Sequence, residues 1–418
     1  MFRRIIASPW PVLGLWLFLA IPYVIRTPGG AYTHDYAAHV EYTHILITQN
    51  RFPVPGEGWE THQPPAYYLA MSFLAPHSPH HVLFVRLFAV WLGAGVLWLL
   101  YAVLTSLGYS DLTKAVLLAF LATTPHFLFI FSTYNNDVLA TFCSLALWGL
   151  LLSYRRRPQN RTLALMTLAA LLGLYTKATV FVSLAVISAA ACYLTYRREL
   201  ERKHLLRLFL VPLAAMAGFT LWMYGHNVKT SGKWLPDNFR DPRIHQRLPH
   251  PALVCAIMPP GLTTFEWATP YTDHELPVGK KSSLAAYLLS SSVFGEYRFY
   301  QFPQYFIWFV FWVHTAWLAI GLLMIPRSSL LRVMGISFIV AWLAMTAYAV
   351  RWPYGSVMDF RYVAWLWLPM TVLEAEAFDR PWTWVRPGWR RGWLAATGMT
   401  IVLQGLFILM LFRNLNLR

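Results

Sequence analysis

At 418 residues, with 57% hydrophobic and only 12% charged, the chain has too little charge to cover the surface of a soluble domain of its size. Its formal charge of +16 does not point to nucleic acid, because the Lys and Arg residues fall in short breaks between apolar runs and form no single patch. Twenty Trp and 22 Tyr suit a protein with two membrane–water interfaces, and three scattered cysteines make neither a disulfide framework nor a zinc site.

A helix needs about 20 apolar residues to cross a hydrocarbon core. Stretches of that kind begin near Trp10, Val82, Leu112, Val138, Thr162, Thr179, Leu205, Tyr305, Leu330, Tyr362 and Trp393. They predict an all-α polytopic membrane protein with about eleven transmembrane helices. With the N-terminus inside, the basic clusters Arg3-Arg4, Arg155-Arg156-Arg157, Arg197-Arg198 with Arg202-Lys203, Arg327 with Arg332, and Arg386 with Arg390-Arg391 all fall on the cytoplasmic side. The run from Trp10 to Ile25 is long for a signal core and reads as an uncleaved anchor. The expected organisation is a catalytic transmembrane core over 1–225 that includes a first outer loop at 26–81, a second large outer loop at 226–304, and C-terminal transmembrane helices over 305–418.

In the first loop, Thr33 to His44 reads as a short amphipathic helix that Thr33 or Asp35 could cap. Asp35 and His39 are four apart and share a face, whereas Glu41 lies less directly in line. A carboxylate at a helix start is often only a cap, so capping and catalysis both stay open for Asp35. Then come Asn50-Arg51-Phe52-Pro53-Val54-Pro55, Trp59, and Glu60-Thr61-His62-Gln63-Pro64-Pro65-Ala66-Tyr67-Tyr68-Leu69. Taken as a set, these residues resemble the first outer loop of the GT-C superfamily, which contains the protein O-mannosyltransferases and the lipid A aminoarabinose transferase. The chain departs from the best-studied branches in having Tyr36 after Asp35 where they have an acidic pair, and Gln63 where they have Lys.

Three further segments resemble the same superfamily. Asn135-Asn136-Asp137 resembles its second polar motif, with a turn in which Asp137 caps the next helix as the plain alternative. Lys177, after Leu171-Leu172-Gly173-Leu174-Tyr175-Thr176, reads as an unpaired cation suited to a lipid phosphate, or as a lysine snorkelling to the interface. Asp359-Phe360-Arg361-Tyr362 resembles a late Arg-Tyr element; the planar Arg fork suits phosphate, and an Asp359–Arg361 surface pair is the alternative. Ser290-Ser291-Ser292-Val293-Phe294-Gly295-Glu296-Tyr297 is only faintly similar to an amphipathic stretch of the relatives, and Trp234, Arg240, Arg243 and Trp267 of the same loop read equally as interface anchors.

The resemblance implies a GT-C fold and transfer of a sugar from a polyprenyl-phosphate donor to an acceptor that is a glycan, lipid or protein, with inversion at the anomeric carbon. Such transfer needs a base for the acceptor proton and cations for the leaving phosphate. Asp35 is the expected base with Glu41 as a second catalytic carboxylate, and Lys177 and Arg361 are the expected phosphate holders. His39, His62, Gln63, Tyr67, Asn136, Asp137 and Tyr362 are expected to contact sugar or acceptor. Because the spacing matches no closed metal motif, neither a metal nor another cofactor is expected. The expected location is a bacterial inner membrane, with the active site on the periplasmic or extracellular side. A transporter or flippase for lipid-linked substrates is the rival reading; it predicts repeated mid-span charges, and the sequence shows none.

Overall fold

A computed structural model describes residues 8–30, 35–74, 76–233, 251–257, 283–295, 304–325, 328–353, 359–379 and 387–414. Outside them lie the expected cap Thr33, the anchors Trp234, Arg240, Arg243 and Trp267, Glu296 and Tyr297, and the basic residues Arg3, Arg4, Arg327 and Arg386. Among the described residues the regular structure is helical, without strands.

Two compact units make up the chain, one from Pro28–Gly93 and Ile130–His245, the other from Met1–Thr27, Ala94–Phe129 and Gln246–Arg418. In chain order the helices are α1 Trp10–Arg26, α2 Tyr36–Gln49, α3 Ala66–Ser72, α4 His81–Ser106, α5 Asp111–Thr123, α6 Pro125–Ile130, α7 Asp137–Arg156, α8 Asn160–Leu174, α9 Val180–Tyr196 and α10 Arg202–Trp222. They continue with α11 Ala252–Ile257, α12 Leu284–Phe294, α13 Gln304–Leu323, α14 Ser329–Arg351, a 3-10 turn over Phe360–Leu366, α15 Trp367–Asp379 and α16 Pro387–Asn414. In the first unit α7 packs on α8 and α9, α10 on α8 and α9, and α2 on α3; in the second α1 packs on α5 and α16, and α15 on α13 and α14.

The protein is integral to a membrane. Among the described residues six helices are long and apolar enough to cross one, and α1, α8 and α9 are shorter apolar helices. Along α10, Leu206, Leu210, Leu213 and Leu221 stand exposed, a stripe that water would penalise and hydrocarbon accepts. Some hydroxyls of the apolar helices return to carbonyls of their own helix, as Thr195 does to Ala191 (2.9 Å) and Ser337 to Val333 (2.9 Å), which satisfies them without water.

Two of the apolar stretches read from the sequence take another form. The one from Leu112 makes the 13-residue α5, capped by the Ser110 hydroxyl and by the Asp379 carboxylate, which accepts from the Ser110 amide at 2.9 Å. The one from Tyr362 starts as the 3-10 turn and becomes α15, in which every residue from Trp367 to Phe378 is buried, Glu374 and Glu376 included. Its apolar character reflects burial in protein on all sides. Gly321 permits the close approach of α13, since a Cβ there would come within 2.6 Å of the Leu373 carbonyl oxygen.

Candidate active site

The first loop builds its polar centre on one face of α2. Ala37, Glu41, His44 and Thr48 are exposed while Ala38, His39, Tyr42, Thr43 and Ile45 are buried, the spacing of an amphipathic helix. Asp35 stands at the N-cap position, yet its side chain makes no capping hydrogen bond. His39, one turn on, is 3% exposed, and its Nδ1 is 2.8 Å from the Tyr68 hydroxyl. Glu60, from the irregular turn ahead of α3, is also buried. Asp35, His39 and Glu60 bring one ligand atom each to within 4.8 Å of one another.

A tyrosine core holds this arrangement from beneath. Tyr68 stacks on Tyr42 (centroids 3.7 Å, interplanar 8°) and meets Tyr67 edge-on at 5.4 Å, and Tyr67 meets Tyr134 at 6.1 Å. Such pairs contribute about 0.5–1.5 kcal/mol each beyond the area they bury. The Tyr134 hydroxyl donates to Thr43 on α2 at 2.7 Å, and the Ala66 amide, first in α3, donates to the Tyr175 carbonyl at 2.8 Å.

Around Glu60 the turn is stitched locally. The Thr61 hydroxyl accepts from the Gly56 and Gly58 amides, both at 3.1 Å, and donates to the Gly58 carbonyl. Arg51 pairs with Glu57, and the hydrogen bond from Arg51, helped by the Val54 amide, holds the Glu57 carboxyl down to about 2. His62 Nδ1 faces the Trp59 carbonyl at 3.1 Å and its Nε2 faces the Gln63 amide nitrogen at 3.1 Å, so both residues serve the turn itself. Glu41 is exposed on the far side of α2 and lies against Gly58, where a Cβ would come within 2.6 Å of its carboxylate. The second acidic group beside Asp35 is therefore Glu60. Glu60 lies in the loop motif but has no periodic signal, because an irregular turn brings it to the helix.

The second polar motif adds a buried ion pair. At the start of α7 it is Asn135, one residue before the N-cap Asn136, whose Oδ1 accepts from the Val138 amide at 3.2 Å. Asp137 instead pairs with Lys177 (Oδ1 to Nζ 2.6 Å), both groups being buried. The expectation of an unpaired Lys177 is thus corrected: a lysine this buried needs a countercharge, and Asp137 supplies it. Asn136 reaches the Thr176 carbonyl at 3.5 Å and helps fix the same segment. Burial pushes the His39 pKa down, with the Lys177 charge pushing the same way and Glu60, Asp35 and Asp137 opposing. The imidazole is therefore neutral at neutral pH, able to take a proton or to hold a hydroxyl.

Asp35, His39 and Glu60 form a donor set of oxygen and imidazole nitrogen that fits a divalent cation of the zinc class. A cation bound there would supply positive charge to a leaving phosphate.

Arg361 belongs to the other unit and has its own surroundings. Its backbone amide donates to Asp359 Oδ1 at 2.7 Å, so Asp359, itself buried, caps the 3-10 turn. The guanidinium lies over the Tyr362 ring, 5.2 Å from its centroid, and donates to the Tyr362 hydroxyl at 3.3 Å. The contact of Asp359 with Arg361 is a backbone cap where the sequence suggested a surface pair.

No protein-family model and no curated protein matches the chain in sequence. Solved structures match it in fold. Archaeal oligosaccharyltransferase AglB from Archaeoglobus fulgidus, in complex with an inhibitory peptide and a dolichol-phosphate, superposes with a TM-score of 0.54 at 14% identity over 96% of this chain and 56% of that one. The Archaeoglobus fulgidus oligosaccharyltransferase in complex with Zn and sulfate gives a TM-score of 0.55 at 13% identity, over 95% of this chain and 53% of that one. This chain spans a little over half the length of those proteins, and at such identity the likeness is one of fold.

Proposed function

Given a chain that has the GT-C membrane fold, we propose that it is a glycosyltransferase moving a sugar from a polyprenyl-phosphate donor to an acceptor hydroxyl, with Asp35 as general base. The observation that carries this reading is that Asp35 sits at a helix start without capping it and is gathered instead with buried His39 and Glu60. A fold neighbour in complex with a dolichol-phosphate is in keeping with a donor of this class.

In this reading the acceptor oxygen attacks the anomeric carbon as its proton passes to the Asp35 carboxylate. The bond from carbon to phosphate oxygen breaks, its electrons stay on the phosphate, and the anomeric centre inverts. Lys177 and Arg361 are the cations for the charge that develops there, Arg361 through its planar fork. Lys177 has to share its charge between Asp137 and phosphate, which keeps the ammonium desolvated and in place before the donor arrives. Neutral His39 orients the acceptor hydroxyl, and Glu60 stabilises the imidazole as charge moves past it. No step needs a metal. The acceptor is a glycan, lipid or protein, and the reaction takes place on the periplasmic or extracellular side of a bacterial inner membrane.

The test is turnover of a polyprenyl-phosphate sugar by the purified protein and by Asp35→Asn, which preserves size and capping ability. Loss of the base costs about 10²-fold or more in transfer while donor binding survives. Transfer at the parental rate by Asp35→Asn would move the base elsewhere, with Glu60 next in line. Activity that disappears on chelation and returns with a divalent cation would recast Asp35, His39 and Glu60 as metal ligands.

A further inference from the structure

The 3-10 turn that carries Arg361 begins with amide groups that have no partner inside the turn, and all its first residues are buried or half-buried. Two of those amides are accounted for. Asp359 takes the Arg361 amide, and the Phe360 amide donates to the Ser291 hydroxyl oxygen at 3.0 Å. Ser291 is on α12, in the part of the chain that the sequence assigns to the second large loop. The same helix approaches Asp359 again, since the Tyr287 hydroxyl lies 3.5 Å from Asp359 Oδ2. Tyr287 and Ser291 are four residues apart and so share one face of α12. That face is the one turned toward the Asp359–Phe360 corner.

α12 is itself held in place. His126 pairs with the Ser291 carbonyl, and the Ser292 hydroxyl lies 3.4 Å from His314 Nε2 on α13. Beyond the turn, the Arg361 fork rests on Tyr362, whose ring meets Tyr348 of α14 at 5.6 Å. The guanidinium is thus aimed by a short rigid turn, and the turn is aimed by α12.

We propose that Tyr287 and Ser291 are positioning residues for Arg361, and that through them α12 sets how tightly the donor phosphate is held. The inference rests on Arg361 holding that phosphate, as the reading above has it. Neither residue touches donor or acceptor; each acts through the Asp359–Phe360 corner.

Steady-state transfer by the full-length protein tests this with Ser291→Ala, Tyr287→Phe, Ser291→Thr, Arg361→Ala and the Ser291→Ala/Arg361→Ala double variant. Ser291→Ala leaves the buried Phe360 amide without its acceptor, so donor KM rises roughly three- to tenfold, the worth of one neutral hydrogen bond, with kcat nearly unchanged. Ser291→Thr retains the hydroxyl and restores donor KM. Tyr287→Phe, losing a longer contact, gives a smaller rise and guards against a misfolded Ser291→Ala. In the Arg361→Ala background Ser291→Ala adds nothing, because the group it aims is gone. Effects of Ser291→Ala and Arg361→Ala that multiply independently, or a donor KM unmoved by both Ser291→Ala and Tyr287→Phe, would overturn the positioning role while leaving Arg361 as phosphate holder. A donor KM unmoved by Arg361→Ala removes that holder and the inference with it.

Discussion

Asp35 and Asp359 hold the same formal place, each at the N-cap of a helical segment, and they use it differently. Asp359 is buried and gives its carboxylate to the Arg361 amide, so its charge is spent on the turn. The Asp35 side chain makes no cap hydrogen bond to α2 and shares its surroundings with His39 and Glu60. A carboxylate at a helix start therefore declares its role by where its oxygens go. Asp137 is a third case, spent on neither cap nor base but on Lys177.

The comparison can be broken most forcefully at Asp137. Lys177→Met strips the partner from a buried carboxylate and should cost about 3–5 kcal/mol, the usual result of breaking a buried pair from one side. The measurement is the thermal midpoint in detergent, and Lys177→Met combined with Asp137→Leu should recover much of the loss. A single variant as stable as the parent would mean that the pair is not what holds these segments. At Asp359 the expected effect is smaller: Asp359→Ala removes a cap and should cost about 0.5–2 kcal/mol, while Asp359→Asn, which caps equally well, should cost little. Asp35→Ala should lower the midpoint less than Asp359→Ala does, since no cap is lost. Glu57 is the exposed extreme of a spent carboxylate. Its folded pKa, held down to about 2 by Arg51, lies below the ordinary 4.5, so the stability it gives is complete above pH 4.5 and is lost as pH falls toward 2. Because the pair is solvent-screened the loss should not exceed about 1 kcal/mol, read as the difference between parent and Glu57→Gln midpoints across that window.

Much of this was legible in the sequence where a period governs it. The eleven apolar stretches each begin in or beside a helix, and the four-residue spacing of Asp35 and His39 puts them on one helix face, as α2 shows. Length is harder to read, because a helix such as α15 is apolar from burial inside protein, and hydropathy does not separate that from contact with lipid. Contacts made by irregular chain were not legible. Glu60 joins the site through a turn stitched by Thr61, and Lys177 meets Asp137 forty residues away. Glu41, six residues on from Asp35 and less directly in line with it, stands on the exposed side of α2.

The central claim is that Asp35 performs chemistry where Asp359 performs structure. The most direct measurement is single-turnover sugar transfer from a polyprenyl-phosphate donor by Asp35→Asn and Asp359→Asn proteins matched for thermal midpoint. The account predicts a loss of about 10²-fold or more in Asp35→Asn and a rate within about threefold of the parent in Asp359→Asn. Equal rates in the two variants, at the parental level, would contradict it.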